Sequence, residues 1–277
     1  TMRIAVCLSG QLRNWELAYS NQINHWSYGG HEIDYFTHTW DYSGDRTHIS
    51  ADYVNRDINR EEYDRFIQTY KPKKSILDSK KQHFFNGNDH WSSLFYGFSQ
   101  SILLKREYEL ENGFEYDIVI KSRPDVIFNP HNGPSWPVIE QEKTNSASYQ
   151  YFKEIYSNNK LFTTHGGHMP HEFDMFNIND CVFLSNSYTM DLMINMYFYR
   201  QQKINKKIPN YKNYDIMGPG VLIGEYCRDY GITTEVGVDY LETLIKDGCP
   251  TDLDLLTPKG YRAMDKYFRE WYQPKLI

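Results

Sequence analysis

Apolar residues along the first half of the chain alternate between short unbroken runs and longer stretches of helical period. Arg3 to Leu8 is a nearly continuous apolar run closed by Ser9-Gly10, which predicts a buried strand ending in a turn, of the kind found at the centre of a parallel sheet. A helix follows through Trp15 to Trp26, then a second strand from Glu32 to His38 after Gly29-Gly30. Within residues 60–70, Tyr63, Phe66, Ile67 and Tyr70 share one helical face. The strongest helix runs from Ser92 to Glu111, because Leu94, Phe95, Phe98, Ile102, Leu103 and Tyr108 recur near a 3.6-residue period and Gly113 follows as a stop. Tyr116 to Lys121 then reads as a strand, with Arg123-Pro124-Asp125 as its exit and Val126-Ile127-Phe128 as a further extended piece. Strand, helix and strand in this order predict an α/β fold with right-handed crossovers and a mostly parallel central sheet flanked by helices.

The second half is patterned differently. Residues 129–172 are rich in Pro, Asn, Ser, Gly and His, and only 149–156 are weakly periodic, so this is where long functional loops are expected. Order returns with a strand at Cys181 to Leu184, a helix from Tyr188 to about Gln202 and another from Gly220 to Asp229, ending at Gly231. Pro258 to Tyr272 carries Tyr261, Met264, Phe268 and Trp271 at helical spacing, a stripe that suits packing on the core. No repeat and no Pro/Gly/Ser-rich linker divides the chain, which reads as one domain over 1–277, with a first part to about 130, a second over about 131–235 and a helical tail over about 236–277.

Charge and composition narrow the functional classes. A net charge of −6 gives no overall field toward nucleic acid or an anionic membrane. Two local basic stretches stand out, Lys71, Lys73, Lys74, Lys80 and Lys81, and Arg200, Lys203, Lys206, Lys207 and Lys212; charge runs of this kind are most often solvated surface. The 24 tyrosines combine a flat apolar face with a hydroxyl, a form that suits both the core edge and sugar or base binding. Cys7, Cys181, Cys227 and Cys249 show no metal or redox spacing. No apolar run reaches the roughly 20 residues that span a bilayer, and no apolar signal core follows a basic start, so a cytoplasmic setting is the expectation.

In open α/β sheets ligands bind beyond the carboxyl ends of the strands, and those ends are polar here. The first strand delivers Ser9, Gly10, Gln11 and Arg13; the glycine admits a close backbone approach and the arginine can neutralise phosphate. The second delivers His38, Thr39, Trp40 and Asp41. The third delivers Arg123 and Asp125 around Pro124; such an aspartate can ligate Mg²⁺ or Mn²⁺ that bridges phosphates, or simply close a turn with the arginine. His165, His168 and His171 lie between glycines and a proline that oppose a regular helix, which favours a loop with one working histidine over a three-histidine metal site.

The segment Tyr116-Asp117-Ile118-Val119-Ile120-Lys121-Ser122-Arg123-Pro124-Asp125-Val126-Ile127-Phe128 resembles the centre of a GT-A glycosyltransferase, a Rossmann-like fold whose equivalent strand ends in D-x-D. The opening Ala5-Val6-Cys7-Leu8-Ser9-Gly10-Gln11-Leu12-Arg13, the Phe36-Thr37-His38-Thr39-Trp40 element, and Asn177 to Phe183 followed by Met190-Asp191 are similar to a GT-A-like group of bacteria, phages and large viruses. The resemblance covers roughly residues 2–235. It implies transfer of a sugar from a nucleotide-sugar, a uridine diphosphate donor being common in that fold, to a glycan or lipid-linked saccharide. It also implies Mn²⁺ or Mg²⁺ at Asp125, a donor site of Ser9, Gly10, Gln11, Arg13, Arg123 and Asp125 with His38 and Asp41 nearby, and Asp180 as the base that takes the acceptor proton, with Asp174 and Asp215 as substitutes. Arg123 stands where the first aspartate of D-x-D is expected, so either Asp125 and other ligands hold a metal or Arg123 supplies positive charge in its place. Two other functions fit the residues: glycosylation of a modified base in phage DNA, gripped by the basic, tyrosine-flanked stretch 197–214, and a nucleotide- or carbohydrate-binding module without turnover. A dinucleotide dehydrogenase does not fit, since no G-x-G-x-x-G follows the first strand.

Overall fold

The computed structural model describes residues 2–26, 31–43, 56–79, 90–128, 160–163, 166–168, 176–178, 180–205, 219–236 and 242–244. In chain order the elements are β1 (Arg3–Gly10), α1 (Trp15–Trp26), β2 (Glu32–Trp40), β3 (Tyr42–Ser43), β4 (Arg56–Asp57), α2 (Arg60–Tyr70), β5 (Lys74–Asp78), α3 (His90–Asn112), β6 (Ile118–Ser122) and β7 (Val126–Phe128). The later ones are β8 (Lys160–Thr163), β9 (Gly166–His168), β10 (Phe176–Ile178), β11 (Phe183–Ser185), α4 (Ser187–Leu192), a 3₁₀ turn (Met193–Asn195), α5 (Met196–Asn205), α6 (Pro219–Asp229), β12 (Thr233–Val236) and β13 (Glu242–Leu244).

A seven-stranded sheet in the order β12-β8-β11-β6-β1-β2-β5 organises these elements. β5, β2, β1 and β6 are mutually parallel, as is the β8–β12 pair, whereas β11 runs antiparallel to both β6 and β8. The expected α/β class with a mostly parallel central sheet flanked by helices is therefore what the chain adopts. Strands from the later half join the same sheet as those from the first.

The alternation along β1 explains the layers. Ile4, Val6 and Leu8 enter a core with Trp15, Trp26, Tyr63, Phe66 and Tyr70 from α1 and α2. Ala5 and Cys7 enter a second core with Phe95, Phe98 and Ile102 of α3 and Leu222, Ile223 and Tyr226 of α6. Since successive strand residues point to opposite faces, an unbroken apolar run is the signature of a strand covered on both sides.

Local signals set the helix ends. The Asn59 side chain accepts from the Glu62 N–H at 2.8 Å and starts α2. Asn186 does the same for Thr189 at 2.8 Å at α4, and Gly113 ends α3 with its N–H on the Glu109 carbonyl at 2.8 Å.

Several expectations required correction. The strand expected at Cys181 to Leu184 forms at Phe183–Ser185 and is antiparallel, a polarity that no residue pattern encodes. The helix expected from Tyr188 to Gln202 is two helices joined by the 3₁₀ turn. β5 was hidden in the first basic stretch: it is an edge strand, where charge protects against further pairing. Its Lys74 pairs with Glu111 at 2.5 Å, and Lys73 pairs with Asp34 at 3.3 Å. From the second stretch, Arg200 is buried and donates to the Ser92 hydroxyl, while Lys203 pairs with Glu225 at 2.9 Å. Lys80, Lys81, Lys206, Lys207, Lys212, Cys249, the weak periodicity at 149–156 and the stripe at 258–272 lie outside the described residues. Cys7, Cys181 and Cys227 are buried free thiols. Among the described residues, no helix is long and apolar enough to cross a membrane.

Candidate functional site

The sheet order places a topological switch beside β1. From β1 the chain adds β2 and β5 on one side, then crosses back to lay β6 on the other. In open α/β sheets such a point, beyond the carboxyl ends of the strands, is where ligands bind. A cavity of about 300 Å³ occupies that position, at the lower end of the range for small-molecule sites. Gly10, Gln11 and Arg13 line it from β1, Arg123 from β6, and Asp180 from the bend before β11.

The antiparallel course of β11 explains how Asp180 arrives. Phe183 pairs with Lys121, so the residues just before β11 emerge at the carboxyl end of β6 rather than at the opposite edge. Lys121, almost fully buried, secures this bend: its ammonium donates to the main-chain carbonyl of Asp180, and to that of Cys181 at 3.3 Å. Asp180 itself is half-buried and lies in the bend that precedes β11.

The cavity floor is a charged cluster. The Asp125 carboxylate is fully buried and accepts two hydrogen bonds from Arg123, Nε to Oδ1 at 2.9 Å and Nη2 to Oδ2 at 2.9 Å. Arg13 Nε lies 3.0 Å from Oδ2, near enough for an ion pair but not aligned as a hydrogen bond. Burial acts to raise the Asp125 pKa, and the Arg123 and Arg13 guanidiniums outweigh it, holding the carboxyl below its ordinary range. Two guanidiniums thus share one buried carboxylate, and a second carboxylate, Asp180, lines the same cavity and acts on Arg123.

A glutamine clamp fixes the turn that carries Arg123. The fully buried Gln22 of α1 donates through Nε2 to the carbonyls of Arg123 at 2.9 Å, Pro124 at 3.3 Å and Val126 at 2.8 Å. Its Oε1 accepts from the Tyr70 hydroxyl at 3.0 Å. Gly10 has φ of +140°, and a Cβ there would lie 3.7 Å from Pro124 Cδ, so the need for glycine is conformational before it is steric.

Helix starts and aromatic rings complete the walls. Trp91, Ser93 and Leu94 belong to the first turn of α3, and Pro219 begins α6. Two helix amino termini, the positive ends of their peptide dipoles, therefore border the same cavity as the two arginines. Trp40 contributes an aromatic side, and buried His38 supports it from behind, with ring centroids 4.8 Å apart and Nε2 2.9 Å from Asp78 Oδ2. A Cβ on Gly97 would come within 2.9 Å of His38 Nδ1, so α3 lies this close only because residue 97 has no side chain.

Five of the residues expected from the sequence, Gly10, Gln11, Arg13, Arg123 and Asp180, meet at the cavity. Ser9, His38 and Asp125 are buried behind it, and Asp41 follows Trp40 without lining it. Sequence reasoning missed Gln22, Tyr70, Trp91, Ser93 and Pro219, and it placed Lys121 in the central segment without a role of its own. A polar Gln22 among the apolar positions of α1 and a lysine ending an apolar strand were the available signals. His168 is described only as backbone in β9, and His165, His171, Asp174 and Asp215 lie outside the described residues.

Asp125 does not fit the role of a metal ligand. A hard divalent cation binds carboxylate oxygens directly, and both Asp125 oxygens face guanidinium nitrogens. At about 4 Å and an effective dielectric of about 20, each like unit-charge pair repels by roughly 4 kcal/mol, and a divalent ion beside two guanidiniums multiplies that. Among the described residues, no group of three His, Cys, Asp or Glu side chains is arranged to hold a metal.

No protein-family model matches the chain, and no curated protein matches it in sequence. A solved structure described as a glycosyltransferase involved in the glycosylation of the major capsid of PBCV-1 is similar, at 10% identity over 86% of this chain and 83% of that one, with a TM-score of 0.37. A likeness of that size leaves the functional reading to the geometry of the site.

Proposed function

We propose that the chain is a glycosyltransferase that binds a nucleotide-sugar, uridine diphosphate-linked in the first instance, in the cavity beyond β1 and β6. The observation that carries this reading is the convergence of Arg13, Arg123 and two helix amino termini on one cavity that also holds a carboxylate, Asp180. Positive charge at that place suits a diphosphate leaving group, and the half-buried Trp91 gives aromatic surface for a base or sugar ring.

In the reaction the acceptor hydroxyl oxygen bonds to the anomeric carbon of the donor sugar as the bond from that carbon to the diphosphate oxygen breaks. Asp180 takes the acceptor proton, and the electron pair leaves with the diphosphate, whose charge Arg13 and Arg123 stabilise. Asp125 holds both arginines in position from behind. The acceptor class is a glycan or lipid-linked saccharide. The DNA reading draws no support from the described part of its basic stretch, because Arg200 is buried on Ser92 and Lys203 is paired with Glu225.

The test is release of nucleoside diphosphate from a panel of nucleotide-sugars, with and without saccharide acceptors. Turnover is expected with at least one donor, and Asp180→Asn should lower it by about 10²-fold or more while leaving donor affinity within a factor of two to three. Donor binding without any turnover would make the chain a binding module, and an unaffected Asp180→Asn rate would remove Asp180 as the base.

A further inference from the structure

We infer that this cavity captures the donor's phosphates without a divalent cation, on the paired guanidiniums of Arg13 and Arg123. The inference rests on the proposed donor site and departs from what the D-x-D resemblance implies. It begins with the engaged state of Asp125. The one carboxylate at the floor is fully buried, accepts from Arg123 at 2.9 Å on each oxygen, and has Arg13 3.0 Å from Oδ2. A cation that took Asp125 as a ligand would have to displace this contact and then sit against both arginines.

The same arrangement supplies what a metal would otherwise bring. Two fixed guanidiniums share the carboxylate beneath them and line the cavity, and the first turns of α3 and α6 add the positive ends of their dipoles. Arginine suits this task because its planar fork can bind a carboxylate along one edge and a phosphate oxygen along another, and it stays charged at any working pH. Asp125 acts here as an internal counter-ion: it aims Arg123 and lowers the cost of burying the pair. Gln22 fixes the turn beneath them through the carbonyls of Arg123, Pro124 and Val126.

The experiment is calorimetric titration of the full chain with uridine diphosphate and with inorganic pyrophosphate, once in EDTA and once in Mn²⁺. Dissociation constants in the two buffers should agree within about threefold. Arg13→Gln should weaken at least one probe tenfold or more in both buffers, with the fold checked by circular dichroism; if that variant does not fold, Arg13→Lys, which keeps a charge beside Asp125 but loses the fork, should weaken it at least threefold. Binding that needs Mn²⁺ and falls tenfold or more in EDTA would overturn cation-free capture and leave the donor site standing. Affinity unchanged in the Arg13 variant would overturn the arginine assignment. No binding of either probe in either buffer would instead remove the donor-site reading itself.

Discussion

Two buried charged clusters lie near opposite ends of β6, and they differ in how their charges are closed. Near its start, Lys105 of α3 donates to Glu109 at 2.8 Å, to Ser187 at 2.5 Å and to Asp191 at 2.6 Å, which uses all three ammonium protons. Glu109 also accepts from the Tyr116 N–H at 2.8 Å and from Ser187 at 2.7 Å, and Arg106 adds a contact to Asp191 at 3.3 Å. Two cations meet two carboxylates. Beyond the other end, two guanidiniums meet one carboxylate, and the cluster borders a cavity. Buried charge by itself is therefore not a sign of function. A cluster closed within the protein ties elements together, whereas one whose guanidiniums line a cavity is open to a group that enters.

The largest expected effect tests the closed cluster. Lys105→Met should cost about 3–5 kcal/mol, because Glu109 and Asp191 lose a buried partner, and the thermal midpoint should fall by roughly 10 °C. Pyrophosphate affinity of the folded variant should stay within a factor of two. If it drops as far as in Arg13→Gln, the division between the two clusters is wrong.

Gln22→Leu comes next. It orphans backbone carbonyls under the Arg123 turn and the Tyr70 hydroxyl, at about 2–3 kcal/mol by the usual cost of unsatisfied buried groups. It should also weaken pyrophosphate binding, which Lys105→Met should not. Denaturant unfolding and calorimetry together decide: lost stability with unchanged affinity would reduce the clamp to a packing role.

The smallest effect is a pH dependence. The folded-state pKa of Asp125 lies below its ordinary value of 3.8, so its contribution to stability is fully present above that value and is lost as pH falls below it. The gap in unfolding midpoint between the protein and Asp125→Asn should hold steady from neutral pH to about 5 and then shrink below 3.8. A gap that closes already near neutrality would mean that Asp125 is not held ionised by the two arginines.

Much of the fold was legible because it depends on local pattern. The apolar run of β1, the limits of α1 and α2, and the Gly113 stop of α3 follow from burial on both sheet faces, from periodicity and from capping. The less legible elements were those whose stability comes from neighbours. β5 is an edge strand with lysines, β8 and β12 have only four residues each, and the polarity of β11 is set by what it pairs with. The same division runs through the site. Arg13 and Arg123 were found as polar residues at strand ends and Asp180 through the resemblance, but nothing in their spacing says that the first two share Asp125 or that the third lines the same cavity.

By itself, then, the sequence determined β1, β2 and the first three helices, the two-sided burial of the central strands and the polar residues at their carboxyl ends, since each is written in contiguous residues and their period. Only the tertiary structure decided that Asp125 is sealed beneath two arginines, that Gln22 and Tyr70 hold their turn, and that Asp180 stands across the cavity. These depend on contacts between residues up to about a hundred positions apart, such as Gln22 with Val126 at a separation of 104, and such pairings are fixed by how layers pack rather than by local sequence.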